Sequence, residues 1–210
     1  MNEKRHTELE VKFDASRVDL ARFRSLMMET NPHSFECVQH DDVFWKRGAN
    51  IVRHRQKGPG AGELTVKQRR SEDSLLDRLE INLRFSPKVE MGDVSAFLVA
   101  TGYEQLFTLR KRHVDVFEFT RSSFAIEAAL YYVGRVDEHG ISGERAFLEL
   151  EIKPGPDMDV ALAKSWLDTW SKWLQQHLDV GEPLNLSLFE YYSQLRSPSV
   201  NPDVGTHYRI

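Results

Sequence analysis

Hydrophobic and polar residues alternate along much of the chain, and the period of the alternation changes at recognisable breaks. From Arg5 to Asp14, Glu8, Glu10 and Lys12 share one side while Leu9, Val11 and Phe13 share the other, the pattern of a strand with two unlike faces. Ser16, three residues before Asp19, marks a helix start. Val18, Leu20, Phe23, Leu26 and Met27 then recur near helical spacing until Asn31-Pro32. Strand-like stretches follow at about 34–45, 50–57, 63–69 and 76–85, with the glycine-rich run from Gly58 to Gly62 as a hairpin connection. The spacing predicts a second helix over 91–101, stopped by Gly102. Strands resume at about 103–113, 114–120, 124–133 and 145–153. Pro154-Gly155-Pro156 ends the last, and Asp157 or Asp159 caps a long helix. Its apolar stripe is Val160, Leu162, Trp166, Trp170, Trp173, Leu174 and Leu178, read as a core face, and Gly181 and Pro183 close it. This is one domain, residues 1–196, of mostly antiparallel strands with three or four helices, and residues 197–210 read as a flexible tail.

The two-sided pattern repeats from strand to strand. Arg53 and Arg55 alternate with Val52 and His54. Glu63, Thr65, Lys67 and Arg69 alternate with Leu64, Val66 and Gln68, and Arg78, Glu80, Asn82 and Arg84 with Leu79, Ile81 and Leu83. Arg110 and Arg112 share a face, as do Glu149, Glu151 and Lys153. A sheet wet on one side gives a similar pattern. Here, however, basic residues crowd the middle strands while Glu pairs mark the first and last. Closing the sheet turns all of these inward, where they need a compensating ligand or ion.

Composition narrows the classes further. The 210 residues carry a net charge of −4, which disfavours a protein that coats nucleic acid without specificity. The charge is uneven: Phe44 to His113 holds 14 Lys and Arg against 8 Asp and Glu, and the rest holds 14 against 24. One cysteine, Cys37, excludes an internal disulfide and any zinc site built on cysteines. No apolar run approaches the ~20 residues of a membrane span, and the start has no signal-peptide pattern, so a cytoplasmic protein that does not engage membranes is expected. Phe44-Trp45 offers either core packing or a stacking surface for a base. The eight histidines show no metal-ligand spacing.

Glutamates two apart on edge strands offer the oxygen ligands preferred by Mg²⁺ and Mn²⁺, and Arg and Lys from several strands offer phosphate contacts. At this level the chain resembles the CYTH family, the triphosphate tunnel metalloenzymes. Glu8-Leu9-Glu10-Val11-Lys12 matches the family's ExExK signature, Val52-Arg53-His54-Arg55 its paired-arginine strand and Leu64-Thr65-Val66-Lys67 its lysine strand. Arg78-Leu79-Glu80, Arg110-Lys111-Arg112 and Glu149-Leu150-Glu151 resemble the later strands in order, and Leu186 to Leu195 the C-terminal helix. Two departures stand out: Asp41-Asp42-Val43-Phe44-Trp45-Lys46 replaces the YFDTP- or HFDTP-like segment, which disfavours the class IV adenylyl cyclase variant, and the Glu127 strand lacks the usual motif.

The resemblance implies an α+β fold, an eight-stranded antiparallel β-barrel with flanking helices. It implies Mg²⁺ or Mn²⁺ held by Glu8, Glu10, Glu149 and Glu151, and phosphates held by Lys12, Arg53, Arg55, Lys67, Arg78, Arg110 and Arg112. Glu8, Glu10, Lys12 and Glu80 are the expected catalytic set, with Glu127 an additional acidic wall residue. The expected activity is metal-dependent hydrolysis of a triphosphate compound. Inorganic tripolyphosphate comes first, with nucleoside triphosphates, thiamine triphosphate and an RNA 5′-triphosphate end, the one nucleic-acid partner expected, also open. A nucleotidyl cyclase, a non-catalytic polyphosphate-binding module and an RNA-binding basic sheet are the rivals. The chain is expected to act as a monomer or homodimer.

Overall fold

A computed structural model describes residues 6–56, 62–69, 78–85, 89–121, 124–153, 159–184 and 186–195, without the side chains of 6–8, 67–69, 78–80 and 153. The elements are β1 (His6–Asp14), α1 (Leu20–Glu29), β2 (Ser34–Arg47), β3 (Asn50–Gln56), β4 (Gly62–Arg69), β5 (Arg78–Arg84), α2 (Met91–Ala100), β6 (Glu104–Arg121), β7 (Phe124–Asp137), β8 (Gly140–Lys153), α3 (Val160–His177) and α4 (Leu188–Gln194). The strands form an antiparallel sheet closed in the order β1-β5-β4-β3-β2-β6-β7-β8. Among the described residues, β1 pairs with β5 at three positions and with β8 at six. The antiparallel strands expected from the alternation, and the eight-stranded barrel implied by the resemblance, are therefore present. The Gly58–Ala61 turn and the expected tail lie outside the described residues. Among the described residues, no helix is long and apolar enough to cross a membrane.

Alternation distributes each strand's side chains between the barrel interior and the helices outside. Leu9, Val11 and Phe13 of β1, Phe117 and Phe119 of β6, Ile126, Ala128 and Leu130 of β7 and Leu148, Leu150 and Ile152 of β8 form one core with α1 and α3. On the opposite side Trp45 and Val52 pack against Val94 and Leu98 of α2. Trp45 is 2% exposed, so of the two readings of this residue the structure gives core packing. Asp19 caps α1 through the Arg22 N–H, Asp159 caps α3, and Gly102 ends α2 at φ +81°, a conformation that favours glycine.

Three expectations need correction. The stretches at 103–113 and 114–120 are one strand, β6, carrying a bulge between Arg112 and Asp115 against β7, with His113 at φ +51°. The α3 face centred on tryptophans is displaced. Ala163, Leu167, Ser171 and Leu174 are buried, Trp166, Trp170 and Trp173 flank them, and Val160 and Leu162 are exposed. Small residues at the centre let the helix approach the barrel, and the indoles seal its edges. Finally, β7 and β8 extend past their expected ends to the tip at Asp137–Gly140.

Beyond α3 the chain returns alongside β1, where the Leu184 N–H donates to the Lys12 carbonyl at 2.7 Å. This brings α4 across one end of the barrel. Ser187 and Glu190 form its capping box, and the Tyr192 hydroxyl donates to the carbonyls of Val133 and Gly143 at 2.6 and 3.1 Å. The β7–β8 hairpin is pinched there. A Cβ on Gly134 would stand 2.4 Å from Ile141 Cγ2 and 2.9 Å from the Ser142 carbonyl oxygen, so only glycine fits.

Candidate functional site

Inside the barrel, the inward faces of β1 and β8 bring Glu10 opposite Glu151 and Lys12 opposite Glu149. The register continues from Glu151 to Glu127 on β7 and from Glu127 to Glu118 on β6. Four carboxylates on four adjacent strands thus share one level of the interior. Like charges directly opposite each other are destabilising, so this row needs nearby cations. Lys12 supplies one: buried, it pairs with Glu10 and stands 3.3 Å from Glu149. The Tyr131 hydroxyl donates to the same Glu149 oxygen, Oε2, at 2.6 Å; burial first, then the Glu149 charge, raises its pKa well above the phenol range.

The facing wall is basic. Arg55 donates from Nε and Nη2 to both oxygens of Asp42 at 2.7 and 2.8 Å. Burial alone would raise the Asp42 pKa, but the Arg55 guanidinium outweighs it and holds the carboxyl well below its usual range. Arg53 is bound differently. One of its terminal nitrogens donates to Thr65 at 2.9 Å and lies 3.5 Å from Glu63, while its buried Nε has no hydrogen-bond partner among the described residues. Thr65 in turn donates to Asn82 at 2.6 Å, tying β4 to β5 beneath the arginine.

The third cation is Lys111, 6% exposed, with its Nζ 3.9 Å from the Tyr131 ring centroid. Burial, reinforced by Arg55, pushes its pKa down to about 7. His40, two residues before Asp42, also lines the interior. Burial, then the Arg55 charge, pushes its pKa down to about 2, so its imidazole is neutral.

Two cavities occupy this interior, of about 350 and 610 Å³, and Arg53, Lys111 and Glu149 line both. The smaller continues to α4 past Phe44, Ile51, Leu188 and Phe189. The larger opens the other way past Arg55, Glu63, Arg84, Glu118, Glu127 and Glu151. Cations and carboxylates therefore face each other across the middle of one passage.

Measured against expectation, Glu10, Lys12, Arg53, Arg55, Glu149, Glu151 and Glu127 all line this interior. Arg110 and Arg112 do not. Arg110 forks onto Asp41 at 2.8 and 2.7 Å, Arg112 pairs with Glu144, and both side chains are over a third exposed. The bulge at Arg112–Asp115 reverses the facing of β6, so Lys111 points inward between them. The side chains of Glu8, Lys67, Arg78 and Glu80 lie outside the described residues. Their backbones are placed by register: Glu8 beside Arg78, and Lys67 beside Glu80. Sequence reasoning passed over Asp42, His40, Lys111 and Tyr131. For Asp42 and His40 the available signal was their shared parity with Phe44.

A divalent cation suits the donor chemistry here, since Glu10, Glu149 and Glu151 are hard oxygen ligands on adjacent strands. Among the described residues, however, no three carboxylate, imidazole or thiol groups converge on one point, and Lys12 stands between Glu10 and Glu149.

No protein-family model and no curated protein matches the chain. Its fold is similar to that of the PH1819 protein from Pyrococcus horikoshii OT3, with a TM-score of 0.63 and 17% identity over 90% of this chain and 99% of that one. It is also similar to the conserved hypothetical protein Pfu-838710-001 from Pyrococcus furiosus, with a TM-score of 0.61 and 15% identity over 87% and 98%. The PH1012 protein from Pyrococcus horikoshii OT3 follows, with a TM-score of 0.57 and 16% identity over 81% and 93%. At these identities the likeness is one of fold.

Proposed function

We propose that the barrel interior binds the triphosphate group of a small molecule and, with Mg²⁺ or Mn²⁺, hydrolyses its terminal phosphoanhydride. The supporting observation is that Arg53 and Lys111 on one side and Glu149 on the other line both cavities, so a linear polyanion would meet cations along its length and carboxylates opposite. The ordered strand motifs that resemble the CYTH family support the same reading.

Arg53, with its free buried Nε, and Lys111 hold phosphate oxygens, the first as a directed donor and the second as a point charge. Arg55 serves mainly through Asp42, fixing β2 to β3 so that the wall keeps its shape. Glu10, Glu149 and Glu151, with Glu8 beside them on β1, would hold the divalent cation, which supplies charge neutralisation at the phosphates and orients water. Glu10 takes the proton of the water that attacks the terminal phosphorus, and Lys12, held between Glu10 and Glu149, stabilises charge on the phosphate being transferred. Lys12 and Lys111 are buried, and the lower dielectric around them strengthens these interactions.

Phosphate release from tripolyphosphate, ATP, GTP and triphosphorylated RNA, with Mg²⁺, with Mn²⁺ and with chelator, tests the proposal. Metal-dependent release is expected. Tripolyphosphate binding without release would instead make the barrel a binding module, and cyclic nucleotide from ATP or GTP would make it a cyclase.

A further inference from the structure

Asp115 of β6 is fully buried on the outer side of the barrel wall, where α1 covers it. Arg24 of that helix donates to it from Nε and Nη2 at 2.6 and 3.0 Å, one nitrogen to each oxygen. The adjoining Phe23 meets Phe117 edge-on at 5.6 Å, so two successive residues of α1 grip two positions on one face of β6. Lys111 stands four residues before Asp115 and faces the other way, into the passage, as do Val114, Val116 and Glu118. In an unbroken strand, residues four apart share a face. The step of three from Lys111 to Val114 is the bulge, and His113 takes it up at φ +51°, a conformation costly for a residue with a Cβ.

We propose that Arg24 and Asp115 are positioning residues for Lys111: their ion pair anchors the downstream edge of the bulge outside the barrel and so keeps the lysine aimed into the passage. The role of Lys111 as a phosphate contact rests on the triphosphate reading, whereas the hold of the pair on its direction does not. The bulge is costly by itself. It carries the left-handed His113 and breaks the ladder on both sides, between Val38 and His40 against β2 and between Arg112 and Asp115 against β7. The contact of Lys111 with the Tyr131 ring offsets that cost from inside the barrel. From outside, the offset is Arg24, because a buried carboxylate deprived of its guanidinium is strongly destabilised. With Asp115 fixed outward against α1, Lys111 can face the cavity only while the extra residue stays between them.

Reductive methylation of lysines with formaldehyde and cyanoborohydride, read site by site in a mass spectrometer, tests this without any ligand. Lys111 and Lys12 are 6% and 5% exposed, so both should label slowly, and Lys12 on β1 reports whether the whole barrel has loosened. Asp115→Asn should speed labelling of Lys111 by about tenfold and of Lys12 by less than about twofold. Arg24→Gln should have the same effect from the helix side. Adding His113→Gly to Asp115→Asn removes the cost of the left-handed conformation at an exposed position, and should recover about fivefold of the protection. Tripolyphosphate titration completes the test. Asp115→Asn should weaken binding about fivefold, but less than about twofold when Lys111→Met is already present, as for a residue that acts through the lysine. Unchanged Lys111 labelling in both single variants, equal acceleration at Lys12 and Lys111, or a full additive loss on top of Lys111→Met would overturn the proposal. If the unaltered protein binds no tripolyphosphate, the triphosphate reading fails, and the labelling alone decides whether the pair holds Lys111.

Discussion

Arg55 spends its guanidinium on Asp42, donating at 2.7 and 2.8 Å to a carboxylate that is 1% exposed, whereas Arg53, two residues away on the same inward face, keeps its buried Nε unengaged. The two arginines look equivalent in sequence and are not equivalent in the fold. Arg55→Ala would strand a buried anion, so it should cost about 3–5 kcal/mol of stability, and Asp42→Asn a similar amount. Arg53→Ala should leave the midpoint of chemical denaturation nearly in place and weaken tripolyphosphate binding by tenfold or more. Denaturant titration and calorimetry on the same two variants separate these roles.

Lys111, not its flanking arginines, faces the passage. Lys111→Met should weaken tripolyphosphate binding by at least tenfold, since a charged hydrogen bond contributes about 1.5–3 kcal/mol. Arg110→Ala and Arg112→Ala remove surface pairs with Asp41 and Glu144, worth about 0–1 kcal/mol of stability, and should change binding less than twofold. Equal losses in all three would return the arginines to the interior.

The Lys111 ammonium gives binding a pH dependence with a defined sign. Burial brings its pKa from 10.5 to about 7, so above pH 7 the free protein holds Lys111 largely neutral. A bound phosphate favours the charged form, and binding must then draw a proton from solvent. Metal-free affinity for tripolyphosphate should therefore fall as pH rises above 7, by up to about tenfold per pH unit. In Lys111→Arg, which stays charged, the profile over pH 7–9 should flatten.

His54 gives a prediction about stability alone. It points away from the passage, is fully buried, and neither ring nitrogen has a partner among the described residues; Phe85 lies edge-on to it. Burial lowers its pKa below 6.5, so the unfolded chain binds a proton that the folded chain resists. The contribution is neutral above about pH 6.5 and becomes a loss of stability as pH falls below it. His54→Leu should raise stability by about 1 kcal/mol at pH 7 and by more at pH 5, read from denaturation midpoints at the two values.

The antiparallel two-faced strands, a cap for α3 at Asp157 or Asp159 and the stop at Gly102 were legible because each depends on local chemistry, whereas the start of α1, read at Ser16, lies at the Asp19 cap. The inward places of Glu10, Lys12, Arg53, Arg55, Glu149 and Glu151 were legible because β1, β3 and β8 keep unbroken parity through those residues. On β6 parity alone misleads. Phe117 and Phe119 face the helices, and counting back from them in twos puts Lys111 outside and Arg110 and Arg112 inside. The extra residue at the bulge, with His113 in the left-handed region, reverses the count, and nothing in Arg112-His113-Val114-Asp115 announces it. On α3 the reading followed bulk. Ala163 and Ser171, too small to draw attention, sit at the centre of the buried face because close approach to the barrel requires small side chains. Asp42 was hidden in the same way: its partner Arg55 lies across the β2–β3 pairing, visible only once the register is known.

The most direct test of the account is diffraction from crystals grown with Mn²⁺ and tripolyphosphate, recorded at the manganese edge. The account predicts an anomalous peak beside Glu10, Glu149 and Glu151, with the phosphate chain running along Arg53 and Lys111 inside the barrel. A chain bound instead on the outer face at Arg110 and Arg112, or an interior holding neither metal nor phosphate at saturating concentrations, would contradict it.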